Sequence, residues 1–200
     1  GISHVQRYAV AQGILKTDDD FLGIAFKGVA KEYEWDFIRD HLVAGSIPQF
    51  SDTASTNAIL ISTNTASTLK LKQGDRIYGY FVGTQGVRTR RFTVAGIYET
   101  NMSQFDNTLC FTDLYTTCKV NGWKEGQCSG AELTVSDFTR LDATAQNVVE
   151  KVNRHTDRYG DTMVSQTIYD AYPQIFSWLS LLDINVWIIL VLMICVAGFT

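Results

Sequence analysis

Read for apolar and polar positions, residues 3–11 (SHVQRYAVA) alternate imperfectly. Val5, Arg7, Ala9 and Ala11 fall on one parity and His4, Gln6, Tyr8 and Val10 on the other, which suits a strand. Thr17, Asp18, Asp19 and Asp20 then punctuate, and residues 21–29 (FLGIAFKGV) predict a second strand. The chain thus opens as two strands around a polar turn. Over 33–42, Trp35, Ile38 and Leu42 recur at helical spacing, and Gly45 and Pro48 act as stop signals. A polar, turn-rich connector spans 46–57.

The middle is more regular. Residues 58–62 (AILIS) predict a short buried strand, 63–71 a small helix with Ala66, Leu69 and Leu71 inward, and 72–75 a turn. Residues 76–82 and 88–98 alternate as two strands joined through Gly83 and Gly86, a hairpin with a loop of about four residues. Residues 102–106 read as a loop and 108–112 as a strand. Asp113 is placed to cap a short helix that ends at Asn121 and Gly122. A strand over 131–135, a helix over 142–155 with Ala145, Val148, Val149 and Val152 on one face, and a strand over 162–167 follow. From Ile168 the pattern turns helical.

The last stretch, PQIFSWLSLLDINVWIILVLMICVAGFT, is the most apolar. Over 186–199 only the weakly acidic Cys195 can ionise, and Trp178 and Trp187 stand near the entry, where interfacial aromatics sit. Crossing a hydrocarbon core of about 30 Å takes roughly 20 apolar residues. Residues 186–200 supply fifteen, so the run reads as a span cut short and the chain as a fragment, with Gly1 preceded by no initiator Met. A run of this length also suits a buried core helix, but residues 188–196 are apolar on every side rather than amphipathic. Residues 175–185 are expected to form a stalk helix leading into it, with Pro173 starting or kinking that helix.

The element order predicts an α+β chain. Residues 1–45 and 130–167 form a split α/β layer, residues 46–129 an inserted β-rich subdomain, and residues 168–200 a stalk helix and the start of a transmembrane helix. Two hundred residues, 46% of them hydrophobic, can build a sizeable core. The net charge of −4 gives no electrostatic reason to expect nucleic acid.

Candidate chemistry is sparse. No nucleophile elbow, phosphate-binding loop, GxGxxG, HExxH or CxxC pair occurs, and His4, His41 and His155 are scattered, so neither a catalytic group nor a metal site is expected. The Asp18 to Asp20 triplet lacks the spacing of a calcium loop and reads as a solvated turn. Cys195 lies in the apolar run. Cys118 and Cys128 either close a short loop as a disulfide or remain free thiols. Arg88, Arg90 and Arg91 are the one dense basic cluster, with Arg88 and Arg90 on one strand face, suited to a phosphate or headgroup or to plain solvation. Met102 and Phe105, apolar residues of the loop over 100–106, are candidates for partner contact alongside Arg88 and Arg90.

The segments ILISTNTASTLKLKQGDRIYGYF and RRFTVAGIYETNMSQFD, with the tail WLSLLDINVWIILVLMICVAGFT, resemble the extracytoplasmic domain of FtsX-like, MacB-type ABC transporter permeases. The lipoprotein-releasing permease subunits are the nearest subtype. The resemblance covers most of 58–106 and 176–200, and 5–29 more loosely. It implies a porter-like subdomain with a small inserted subdomain, held in the periplasm at the bacterial inner membrane ahead of the second of four spans. It further implies no cofactor in this chain, ATP being bound by a separate cytoplasmic ATPase subunit. The implied partners are that ATPase, a second permease subunit, and a periplasmic carrier or lipoprotein cargo. The lipoprotein subtype holds its carrier with an extended hairpin; the tip here, 84–86, is short. A membrane-tethered ligand-binding or sensing module without an ATPase is the rival reading, and an anchored hydrolase a third.

Overall fold

The computed structural model describes residues 1–83, 86–124, 126–157 and 160–198, with Asp183 described by its backbone only. Two compact units result, residues 2–134, and residue 1 with residues 135–200.

In the first unit, β1 (Ile2–Lys16) runs well beyond the strand expected over 3–11 because its second half is paired on both edges. On one side Tyr8 to Lys16 pair antiparallel with β2 (Phe21–Val29); on the other, Ile14, Leu15 and Lys16 pair with β5 (Arg76–Gly83). β2 lies parallel to β7 (Leu109–Asp113), which meets β4 (Ala58–Ser62) at Leu60 and Phe111. β4 runs parallel to β6 (Gly86–Tyr98), and β6 pairs antiparallel with β5. The circuit β1, β2, β7, β4, β6, β5 therefore returns to β1, and six strands close a small mixed barrel. β3 (Leu42–Gly45) adds to β6, and β8 (Gly130–Val135) to β1. Thr84 and Gln85, at the expected hairpin tip, lie outside the described residues.

Side chains alternate across the barrel wall. Inward go Ala11 and Leu15 of β1, Ile24 and Phe26 of β2, Ile59 and Ile61 of β4, Ile77 and Phe81 of β5, Phe92 and Val94 of β6, and Cys110 of β7. Each fully buried Leu, Ile or Phe contributes about 1.5–3 kcal/mol. Phe26, Phe81 and Phe92 fill the centre with ring centroids 4.7, 5.7 and 6.5 Å apart. Two glycines make that possible. A Cβ at Gly13 would stand 2.9 Å from the Phe26 and Phe81 rings, and one at Gly79 would stand 2.9 Å from the Phe92 ring.

Two capped helices adjoin this core. Ser62 caps α2 (Thr63–Leu69), which lays Ala66 and Leu69 on it, and Lys70 ends the helix with φ 53°. Asp113 caps α4 (Leu114–Asn121) by accepting from Thr116 N, and Gly122 ends it with φ 75°, as the sequence pattern predicts. A second apolar cluster lies under the 30–57 segment. There Val29, Ile38, Phe50, Leu60, Tyr98 and Phe111 are buried, with Tyr33 and Trp35 packed against them.

Four expectations change. The helix expected over 33–42 shrinks to α1 (Asp36–Asp40), because Leu42 to Gly45 pair with β6 as β3. The loop over 102–106 contains one helical turn, α3 (Ser103–Asp106). The strand expected over 162–167 is reduced to an isolated bridge between Thr156 and Thr162, since Thr167 is committed as the N-cap of α6 (Ile168–Ala171). Residues 46–129 do not fold on themselves as an insertion: β1 pairs with β5 and β2 with β7, so both segments share one sheet.

The second unit is helical. A 3-10 turn at Phe138–Arg140 leads into α5 (Leu141–Val152), and Asn153 holds the returning chain by accepting from Ser165 N and Oγ. Thr167 and Asp170 form a capping box at α6. The chain breaks at Tyr172 and restarts at Pro173 as α7 (Pro173–Gly198), so Pro173 starts the helix and does not kink it. An aromatic ladder ties these pieces together, Phe138 to Tyr169 at 6.1 Å and Tyr169 to Phe176 at 4.5 Å.

Candidate functional site

α7 carries the most distinctive surface of the second unit. It is 26 residues long, about 39 Å at 1.5 Å per residue, and its most apolar window contains no buried residue. Trp178, Trp187, Ile188, Leu192 and Met193 are all more than half exposed. This does not suit a core helix, which would be covered; by length and composition it suits a membrane span. The expected stalk over 175–185 and apolar run over 188–196 belong to one unbroken helix. Phe199 and Thr200, at the end of that run, lie outside the described residues.

In the first unit the predicted surface residues are dispersed. Arg88 Nη1 donates to the carbonyls of Lys119 and Val120, at 2.5 and 3.1 Å. It thereby braces the C-terminal turn of α4, where the Lys119 carbonyl also accepts from Gly122 N at 3.2 Å. Arg88 and Arg90 do share a parity, opposite Phe81 and Gly79, and it is the parity of Phe92. Arg90 is exposed and donates to Thr89 O at 3.4 Å. Arg91 faces the other way, opposite Tyr78.

Met102 is 39% exposed and Phe105 half-buried, on a turn that is firmly built. Buried Asp106 accepts from Thr100 N and Oγ1, and Ser62 Oγ donates to the Asp106 carbonyl. Cys118 and Cys128 are free thiols here, and Cys118 Sγ donates to Gln127 O at 3.2 Å. Burial pushes the Cys118 thiol up, with the neighbouring Cys128 adding to it, and burial alone pushes Cys110 well up. Among the described residues no His, Cys, Asp and Glu group is placed to hold a metal ion.

Contacts without a sequence signal organise the barrel's flank. Arg7 Nε donates to Glu32 at 2.7 Å and its Nη2 to Asp52 at 2.8 Å. The hydrogen bond from Arg7 holds both carboxylates below their ordinary range. Lys27 Nζ meets Glu132 while lying 5.3 and 5.2 Å from the Tyr8 and Tyr33 ring centroids. These partners are 25, 45 and 105 positions apart. No local pattern could have paired them.

No protein-family model matches the chain, and no curated protein matches its sequence. The likeness is in the fold. The extracellular domain of the ABC-type transporter YknZ from Gram-positive bacteria superimposes with a TM-score of 0.51 at 15% identity, covering 82% of each chain. The periplasmic region of MacB from Actinobacillus actinomycetemcomitans gives 0.54 at 14% identity, covering 76% of this chain and 67% of that one. With its central mixed sheet and long C-terminal helix, this chain has the α+β fold of those two domains.

Proposed function

We propose that this chain is the extracytoplasmic domain of a MacB-type ABC transporter permease, acting by being moved rather than by catalysis. The observation that carries the reading is the conjunction of the shared fold with α7, an unbroken helix long and apolar enough to enter a membrane. A long internally hydrogen-bonded helix is a stiff element, and here the aromatic ladder joins it through Tyr169 of α6 to Phe138, in the turn that leads into α5. Displacement of its membrane end would carry the unit with it.

On this reading a separate cytoplasmic ATPase binds ATP and drives the motion, and this chain holds no cofactor. A second permease subunit completes the membrane part, the domain lies in the periplasm at the inner membrane, and the work done is lipoprotein release or a related mechanical process. Met102, on its braced turn, and Arg90, exposed at the hairpin, are the surfaces proposed for a carrier or cargo.

The test is the full-length gene product solubilised in detergent. Four spans with one early large loop, and co-purification with a phosphate-binding-loop ATPase whose turnover is uncoupled from transport by Leu182→Pro in α7, are expected. A single span and no associated ATPase would replace this reading with a tethered binding or sensing module.

A further inference from the structure

A groove in the first unit, of about 570 Å³, runs between Trp35 and Arg39 at α1 and the extended segment through Ile47 and Phe50. That volume lies within the range of small-molecule sites. Its apolar lining includes Trp35, Leu42, Ile47 and Phe50, and its charged lining is Lys31 and Arg39. No Asp or Glu lines it among the described residues.

Both walls are fixed before anything binds. The Trp35 ring is wedged 4.7 Å from Tyr33 and 5.6 Å from both Phe50 and Phe111, yet it is not fully buried, so one part of it faces out. Opposite, Gly45 adopts φ +82°, and a Cβ there would stand 2.2 Å from the Ala95 carbonyl oxygen; Ser46 N donates to the same oxygen at 3.1 Å. The 45–50 segment is thus anchored against β6 at its start.

The two cations are not used up. Arg39 gives Nη1 to Asp36 at 2.6 Å, which leaves the other donors of its guanidinium. Lys31 makes no ion pair among the described residues, and Asp52, on which its charge acts, is already held by Arg7. We propose that this groove binds a small water-soluble amphiphilic anion, its apolar body against Trp35 and Phe50 and its charged head between Lys31 and Arg39. A neutral apolar ligand would leave the cations without a role, and a cation would meet two like charges. The inference does not depend on the transporter reading.

The full chain in neutral dodecyl maltoside micelles, labelled with 5-fluorotryptophan, tests it. The four tryptophan resonances are assigned by Trp→Phe variants. Naphthalene-2-sulfonate is expected to shift the Trp35 resonance saturably while Trp123 stays in place. The naphthylmethylammonium analogue should leave Trp35 unmoved. Lys31→Glu with Arg39→Glu should weaken sulfonate binding about tenfold. If Trp123 moves in that variant, signalling a disturbed fold, Lys31→Gln with Arg39→Gln replaces it, with about a threefold loss expected. An unmoved Trp35 at millimolar sulfonate, an equal response to the ammonium analogue, or affinity indifferent to these substitutions would overturn the proposal.

Discussion

Lys27 of β2 reaches past β1 to Glu132 of β8, Nζ to Oε1 at 2.5 Å, with the ammonium 5.3 and 5.2 Å from the ring centroids of Tyr8 and Tyr33. Gln6 of β1 donates to the other oxygen of Glu132 at 2.8 Å, so one carboxylate ties three strands together. The lysine side chain is 13% exposed and the glutamate 40%. Losing the two partners should therefore have unequal consequences.

Glu132→Ala strands a mostly buried ammonium and is expected to cost about 1–2 kcal/mol, less than a fully buried pair because Glu132 is solvated. Lys27→Met removes the buried charge and leaves Glu132 bonded to Gln6 and partly solvated, so it should cost less. Urea titrations of the two variants followed by near-ultraviolet circular dichroism would show the order. Equal losses would mean that the ion pair does not hold β8.

Gly28 on β2 lies against α4 so closely that a Cβ would stand 2.2 Å from Thr117 Oγ1 and 3.0 Å from the Asp113 carbonyl oxygen. Gly23, five residues earlier on the same strand, has nothing within 4 Å. Gly28→Ala is therefore expected to lower stability by about 1–3 kcal/mol by pushing the helix off the barrel. Gly23→Ala should be neutral or slightly stabilising. Thermal melts of the pair check this; a Gly23→Ala variant as unstable as Gly28→Ala would point to strand propensity instead of packing.

The pairing of Arg7 with Glu32 and Asp52 makes a pH-dependent contribution. Both carboxylates titrate lower in the folded chain than in the unfolded one, chiefly through their hydrogen bonds from Arg7. Their contribution is thus complete above the unfolded value of about 4 and is lost as pH falls through the depressed folded values. With Arg7 40% exposed, solvent screening limits it to about 1 kcal/mol. Urea midpoints of the wild type and Arg7→Met should differ at pH 7 and converge toward pH 2. A gap that stays constant with pH would assign the role of Arg7 to packing.

Cys118 Sγ bonds the carbonyl of Gln127, the residue before Cys128. Its raised thiol is a slow nucleophile at neutral pH, so oxidation needs a catalyst. With copper phenanthroline we expect loss of two hydrogens and a peptide map joining Cys118 to Cys128, with buried Cys110 still reduced. Closing so short a loop is expected to add about 2–3 kcal/mol of stability. A map joining any other pair would refute the proximity.

Sequence patterning read the local devices well. β2 and β4 have the bounds expected of them, and α4 (Leu114–Asn121) lies between its caps Asp113 and Gly122 as the sequence pattern demands. Such signals lie within a few positions of one another, and the physics they report is backbone satisfaction and one-sided burial. Where a segment had two uses, local reading failed. Leu42 continues the helical spacing of Trp35 and Ile38, yet it pairs with Tyr98 across 56 residues. The region over 162–167 looks extended, but its last residue is taken by a helix cap.

What the order of residues determined by itself was most of the strands from β1 to β7, the helices α2, α4 and α5, the cap at Asp113, and the apolar tail that becomes α7, because each depends on neighbours a few positions away or on unbroken hydropathy. Only the tertiary structure decided that β1 is paired on both edges and so closes the sheet into a ring. The same holds for Arg88 being spent on the end of α4, for Lys27 and Glu132 meeting, and for the walls of the groove beside Trp35 facing each other. Those outcomes are set by which apolar faces must share one interior, and chain-distant charges then pair wherever that packing leaves them.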